Sequence, residues 1–373
     1  MLADCPVCRS TERTPVCEYN RFILLEAGAT ADMARYDYAL CHECGLVYAT
    51  RRPTGDAYRE LLANFNESLG RNGTSSIALN PYPLTDEDRR DIEHRVSAGV
   101  FVSEETNLGK RDWLPALEDD KIAQAPHVEL IASLLPVKGM RVLEVRSRTG
   151  AIMDSLRRWF GASVQTMAIF ESQQEIIRKA YGIPSDSLID FEEFSIPYEG
   201  KFDLIVSNHM FTHSLKPDAY FAELQSKLVP GGFIYLYNEP DDLIPFPRRK
   251  SLFGTMNPFH VQAFNGSVLA RGLRRYGFEP MHLTHVNDSL VCAARMDARA
   301  AYKPMRAAER EARLTHYRLW RDCSILALPK SARGRFKAEW SMVESRAVEA
   351  GVAERDLLGR IVLVKAKKVK ASD

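Results

Sequence analysis

The sequence predicts an α/β protein: a mainly parallel sheet with helices on both faces, a small cysteine-stapled module before it and an α+β extension after it. Three observations carry this. Two C-x-x-C pairs, Cys5-Pro-Val-Cys8 and Cys41-His-Glu-Cys44, stand 32 residues apart near the N-terminus. From about residue 126, apolar runs of strand length alternate with helical patterns, the mark of β-α units. Between the two, residues 51–125 are polar and irregular, with loop signals at Asn72-Gly73-Thr74 and Asn80-Pro81-Tyr82-Pro83.

The cysteine pairs point to a metal. A C-x-x-C turn aims two thiolates at one centre, and a second turn completes a tetrahedral S₄ shell suited to Zn²⁺. Cys5, Cys8, Cys41 and Cys44 are therefore the expected ligands. Four thiolates leave no open position, so the metal is read as structural. Gly45 follows the second pair, where the chain must turn tightly. Residues 1–50 form this module, with Phe22–Leu25 and Tyr38–Cys41 as candidate short strands. Residues 51–125 read as a connector with helical pieces at Asp56–Phe65 and Asp86–Val96.

The alternating region is assigned to residues 126–296. His127–Leu135 reads as a helix, Met140–Val145 as a buried strand, and the chain after Gly150 as a helix to about Phe160. Val164–Phe170 reads as a strand, Gln174–Tyr181 as a helix, Phe202–Ser207 as a strand and Pro217–Leu228 as a helix. Pro230-Gly231-Gly232 turns into the strand Phe233–Tyr237. Val261–Tyr276 reads as a helix closed by Gly277. Strands follow at Met281–Val286 and Ser289–Arg295. In the extension, residues 297–373, Ala307–Leu319 and Phe336–Glu349 read as helices and Arg360–Lys365 as a strand.

Four segments of the alternating region carry a family pattern. They are Val142-Leu-Glu-Val-Arg-Ser-Arg-Thr-Gly150, Glu171 placed 21 residues after Gly150, Lys201-Phe-Asp-Leu-Ile-Val-Ser-Asn-His209, and Leu228-Val-Pro-Gly-Gly-Phe-Ile-Tyr-Leu236. In this order they resemble a Rossmann-like class I S-adenosylmethionine-dependent methyltransferase. The preceding zinc module resembles the subgroup that includes sugar C-methyltransferases and related bacterial biosynthetic proteins. The resemblance implies S-adenosylmethionine as cofactor, bound outside the carboxyl ends of the strands. Glu144, Thr149 and Gly150 would form the first turn, and Glu171 would accept the ribose hydroxyls. Asp190 would approach the adenine amino group, and Asn208 and His209 would line the methionine and substrate side. A surface ion pair is the other reading of Glu171.

The first turn departs from the family's G-x-G-x-G. It reads Arg146-Ser-Arg148-Thr-Gly150, so two glycines are arginines. Arginine side chains fill space that the ligand needs and place positive charge beside a sulfonium, or they turn away and leave the pocket open. Glu144 is then available to pair with either arginine. His213 and His260 are the candidate catalytic bases, since a neutral imidazole accepts a proton near pH 7. The competing reading of each is a hydrogen-bonded structural histidine.

Composition sets the outer limits. The charge balance, 50 Lys+Arg against 49 Asp+Glu, gives no overall bias toward nucleic acid or a membrane surface. The C-terminal stretch from Arg299 is basic, with 18 Lys+Arg and 9 Asp+Glu, and suits an anionic small-molecule substrate or a solvated helical surface. No leader and no membrane span are read, and the cysteine usage fits a reducing, cytoplasmic compartment. The leading functional reading is methyl transfer to a small biosynthetic molecule, with a nucleotide-linked sugar as one candidate. The alternative is a degenerate methyltransferase fold kept as a binding or assembly module.

Overall fold

The computed structural model describes residues 2, 4–20, 35–52, 113–191, 193–242, 260–286, 289–326, 340–350, 353–355 and 361–363. The candidate strand Phe22–Leu25 and the candidate helices Asp56–Phe65 and Asp86–Val96 lie outside the described residues. Among the described residues, no helix is long and apolar enough to cross a membrane.

A seven-stranded sheet organises the α/β region. Its parallel part comprises β4 (Arg141–Val145), β5 (Ser163–Ala168), β6 (Ser187–Leu188), β7 (Phe202–Asn208) and β8 (Leu228–Pro240). Two antiparallel strands, β10 (Phe278–Val286) and β11 (Ser289–Met296), complete it in the order β10-β11-β8-β7-β4-β5-β6. The order runs outward in both directions from the β4/β7 pair. That pair is the switch point where such sheets open a crevice for ligands.

Helices cover both faces. They are α1 (Trp113–Leu134), α2 (Ala151–Phe160), α3 (Glu171–Tyr181), α4 (Pro217–Lys227) and α5 (Gly266–Arg275). Alternation along the strands sends side chains to two cores. Val142, Leu204, Val206, Tyr235 and Tyr237 pack with residues of α1, α2 and α3. Leu143, Val145, Ile205, Ile234 and Leu236 face the opposite core.

That second core also contains the N-terminal module. β1 (Arg13–Asn20), β2 (Arg35–Cys41) and β3 (Val47–Arg51) form an antiparallel sheet whose fourth strand is β9 (Gln262–Ala263). The start of the expected helix Val261–Tyr276 is thus a strand, because β3 offers it a pairing edge through Val47↔Ala263 and Tyr48↔Gln262. Asn265 then caps α5, its side chain accepting from the Val268 amide. Tyr36, Tyr38, Leu40 and Tyr48 are buried together with Phe211, Phe264 and Leu269.

The extension supplies α6 (Ala307–Leu326), α7 (Trp340–Glu349) and a hairpin of β12 (Ala353–Arg355) and β13 (Ile361–Leu363). Tyr317 and Trp320 of α6 are buried in the module's core. The buried Arg313 guanidinium donates to the Gly45 carbonyl and chelates Asp242 at 2.6 and 3.1 Å. Gly45 itself has φ +82°, and a Cβ there would stand 2.8 Å from Met305 Sδ, so both conformation and space require glycine.

Candidate active site and cysteine cluster

A cavity of about 400 Å³ opens at the carboxyl ends of the parallel strands. Arg146 and Arg148 enter from the turn after β4, Ile169 from β5, Asn208 and His209 from β7, and Asn238 and Pro240 from β8. Asp120, Gln124 and His127 of α1 and His260 complete most of the wall. Three wall residues have left-handed backbone: Arg146 (φ 65°), His209 (φ 53°) and Asn238 (φ 58°). Each costs of order 1–2 kcal/mol for a non-glycine residue. Arg146 and His209 follow the ends of β4 and β7 and Asn238 lies near the end of neighbouring β8, so the strain is concentrated at the cavity floor, as at functional sites generally. Arg146 keeps the backbone that explains glycine in the family pattern.

Hydrogen bonds hold this floor together. The Asn208 Nδ2 group donates to the Arg146 carbonyl at 3.2 Å, and Asn238 Nδ2 donates to Asn208 Oδ1 at 3.1 Å. The Arg146 guanidinium donates to the His209 carbonyl at 3.1 Å. Its side chain therefore crosses from the β4 turn to the end of β7 instead of leaving the pocket.

Glu144 does not take the expected arginine partner. Its carboxylate accepts from Ser147 Oγ at 2.6 Å and from the Tyr237 hydroxyl at 2.7 Å. Burial pushes its carboxyl up to about 7, against those two hydrogen bonds. The folded group thus binds its proton more tightly than the unfolded one. Stability is highest below the unfolded value near 4.5, falls as pH rises toward 7, and levels off above it. Glu144→Gln is expected to raise stability at pH 8 by roughly 1–3 kcal/mol and to change little at pH 4. Melting temperatures across that range check this. An equal effect at both pH values would show that the carboxyl does not titrate in this window.

Thr149 and Gly150 lie behind the cavity wall. The Thr149 hydroxyl bonds to Asp120 of α1, and buried Gly150 (φ 84°) starts α2 against Ile177 and Tyr181. Glu171 is exposed on the first turn of α3 and does not line the cavity. β5 ends at Ala168, and the Gln173 side chain accepts from the Ile169 and Phe170 amides, so the helix begins earlier than expected. The strand-end place facing the cavity falls to Ile169. Asp190 sits beyond β6, where it accepts from the Glu193 amide at 3.0 Å, and it too is outside the cavity wall.

The imidazoles converge. The rings of His209 and His213 are 4.7 Å apart, those of His209 and His260 4.7 Å, and those of His213 and His260 4.9 Å. His209 and His260 line the cavity, while His213 is buried behind them against Phe191. The loop between the two β7 histidines is pinned by Glu239. Its buried carboxylate accepts from the Phe211 amide at 2.8 Å, the Thr212 amide at 3.3 Å and the Thr212 hydroxyl at 2.7 Å. Burial raises the carboxyl of Glu239, while those donors and nearby Arg146 favour the charged form. Glu239, Asn238 and Asp120 were not read from the sequence. The readable signal was the polar Asn238-Glu239 pair closing an otherwise apolar strand. On the α1 side, burial lowers His127 to about 4, so it is neutral, and it shares a 3.1 Å hydrogen bond with the Tyr235 hydroxyl.

The N-terminal cysteines form the second cluster. Cys5 and Cys44 sulfurs lie 3.6 Å apart, Cys8 and Cys41 sulfurs 3.4 Å, and all four lie within 4.8 Å of one another. A tetrahedral ion with bonds near ~2.3 Å separates its sulfurs by about 3.8 Å, so the arrangement fits one. The module is tied to the cavity. Tyr38 donates to the His260 carbonyl at 2.7 Å, and the Ala49 amide donates to the Val261 carbonyl at 2.8 Å.

A family model described as a methyltransferase domain matches residues 120–283. The match covers the greater part of the Rossmann-like region described above. Among solved structures, this region is similar to an S-adenosylmethionine-dependent methyltransferase from Mesorhizobium loti. That match has 18% identity, covers 46% of this chain and 97% of the other, and has a TM-score of 0.39. It is also similar to 1,6-didemethyltoxoflavin-N1-methyltransferase from Burkholderia thailandensis, with 17% identity, coverage of 58% and 92%, and a TM-score of 0.40. A third match is magnesium protoporphyrin IX methyltransferase from Synechocystis PCC 6803, at 14% identity, coverage of 47% and 82%, and a TM-score of 0.36. No curated protein sequence matches the chain.

The cavity wall fits S-adenosylmethionine at one end only. Arg146 and Arg148 offer cations to a carboxylate, and Asp120, Asn208 and Asn238 offer acceptors to an amine. At the ribose end, apolar Ile169 stands in the wall and Glu171 points elsewhere.

Proposed function

We propose that this chain transfers a methyl group from S-adenosylmethionine to a small biosynthetic molecule, with a nucleotide-linked sugar as the substrate class the sequence resemblance suggests. The supporting observation is the cavity at the β4/β7 switch point with imidazoles on its acceptor side. When bound, the cofactor supplies an electrophilic methyl group. The chain's own contribution is position and proton handling. Arg148, Asn208 and Asn238 hold the amino-acid end, and the strained strand ends keep them fixed before ligand arrives. His260, anchored through its carbonyl to Tyr38, accepts a proton from the acceptor, with His209 beside it. His213, one layer deeper, holds the other two in place. The cysteine cluster binds one structural Zn²⁺ and keeps the His260 segment in register. The protein acts in a reducing compartment such as the cytoplasm, where these thiols persist.

One observation favours the second reading, a binding or assembly module. Arg146 crosses the place where family members have glycine, and among the described residues of the cavity wall no carboxylate stands beside Ile169 at the ribose end. Titration with S-adenosylhomocysteine by calorimetry separates the two. Weak binding by the natural chain, tightened roughly 10-fold or more by Arg146→Gly with Arg148→Gly, is the expected result, since the change removes bulk and charge. Absence of binding by both forms would defeat the methyltransferase reading and leave the module reading.

A further inference from the structure

We propose that His209, His213 and His260 form a second metal site, binding a divalent ion of the zinc type and leaving one coordination position open to the cavity. The three donor nitrogens lie within 4.8 Å of one another. A tetrahedral ion with Zn–N bonds near ~2.1 Å needs them about 3.4 Å apart, a distance reached by small ring rotations. Three imidazoles suit Zn²⁺, Co²⁺, Ni²⁺ or Fe²⁺, whereas Mg²⁺ and Ca²⁺ require oxygen donors. Three histidines with an open fourth position form a known type of catalytic zinc shell, unlike the closed four-sulfur set.

The surroundings hold this geometry. The His209 amide donates to the Tyr237 carbonyl, and the His213 amide donates to the Met210 carbonyl. The Val261 amide donates to the Thr212 carbonyl, and Gln262 Nε2 to the Ser214 carbonyl, so the two segments are stitched together. Local charge permits a cation. Arg146 and Arg148 are the cations of the cavity wall, and the buried Glu239 carboxyl interacts with Arg146 in the opposite sense. His209 and His260 reach the cavity, so the open position faces it. A bound ion there takes a hydroxyl of the acceptor and, as a Lewis acid, lowers its pKa so that the proton passes to solvent, a role that replaces His260 as base when the ion is present. The site does not depend on whether S-adenosylmethionine binds.

The test uses the untagged full chain prepared with one equivalent of zinc, held at the cysteines, and then titrated with Co²⁺. The expected result is one further equivalent of metal and the visible d–d absorption of a four-coordinate ion with nitrogen ligands, without a thiolate charge-transfer band. His213→Gln and His260→Gln should each abolish that absorption while the cysteine-bound zinc stays at one per chain. X-ray absorption on the unaltered protein should show imidazole scattering, which decides the matter if a variant does not fold. No uptake, a thiolate band reporting exchange at the cysteines, or absorption retained in both variants would overturn the proposal.

Discussion

Replacing Cys41 by serine is expected to strip one equivalent of zinc and to destabilise the N-terminal sheet. The Cys8–Cys41 and Cys5–Cys44 contacts join the two knuckles at their tips. Zinc binding in small thiolate modules is worth about 10–16 kcal/mol at neutral pH. The apolar packing of Tyr36, Tyr38 and Tyr48 retains part of the structure, so a loss of roughly 5 kcal/mol or more is expected. The effect should reach the cavity, because the sheet that loses its staple holds the His260 carbonyl through Tyr38. Elemental analysis, the melting temperature and near-ultraviolet circular dichroism of the buried tyrosines measure this together. Unchanged zinc content with an unchanged melting temperature would exclude the cysteines as the metal site.

Asp242→Ala is expected to destabilise the chain by about 3–5 kcal/mol, because it strands the Arg313 guanidinium inside the protein. The two side chains are 1% and 3% exposed, which removes solvent as a replacement partner. Asp242 also accepts from the Tyr317 hydroxyl at 2.6 Å, and its carbonyl bonds to His316 Nε2 at 2.6 Å. The melting temperature should fall by roughly 10 °C. The double change Asp242→Leu with Arg313→Met removes both charges and should recover most of the loss. A single variant as stable as the natural chain, or a double variant no better than the single, would show that the pair is not what holds α6 down.

The parallel sheet was readable because its strands are buried on both faces. Phe202–Ser207 is apolar but for Asp203 and its last residue, and Met140–Val145 carries four apolar residues in six, so each has few places to go but a buried strand. The four cysteines were readable because their spacing encodes a coordination geometry. What escaped was set by distant partners. β9 is two residues long, and nothing in Gln262-Ala263 announces a strand until β3 lies beside it. Arg313 reads as one charge on an amphipathic helix, and only the fold reveals its burial against Asp242. Glu171 was misplaced by a count of two residues. The Gln173 side chain starts α3 early and turns that carboxylate outward, leaving Ile169 at the strand end. His209, His213 and His260 were each visible singly, but their meeting at one point depends on the pairing of β9 with the N-terminal sheet.

The bond from Tyr38 to the His260 carbonyl joins residues 222 positions apart, and the bond from Arg313 to Gly45 spans 268. On a ribosome adding 5–20 residues per second, roughly 15–50 s pass between the emergence of the second cysteine knuckle and the arrival of Arg313. During that interval the knuckles have their thiols but lack the fourth strand and the helix that cover them. Metal capture can precede sheet completion, and the ion then serves as a placeholder that keeps β2 and β3 in register for a late partner. The earlier segment is therefore finished only when the later one arrives. A nascent chain starved of zinc would present an open, tyrosine-rich sheet edge to its neighbours for most of its synthesis.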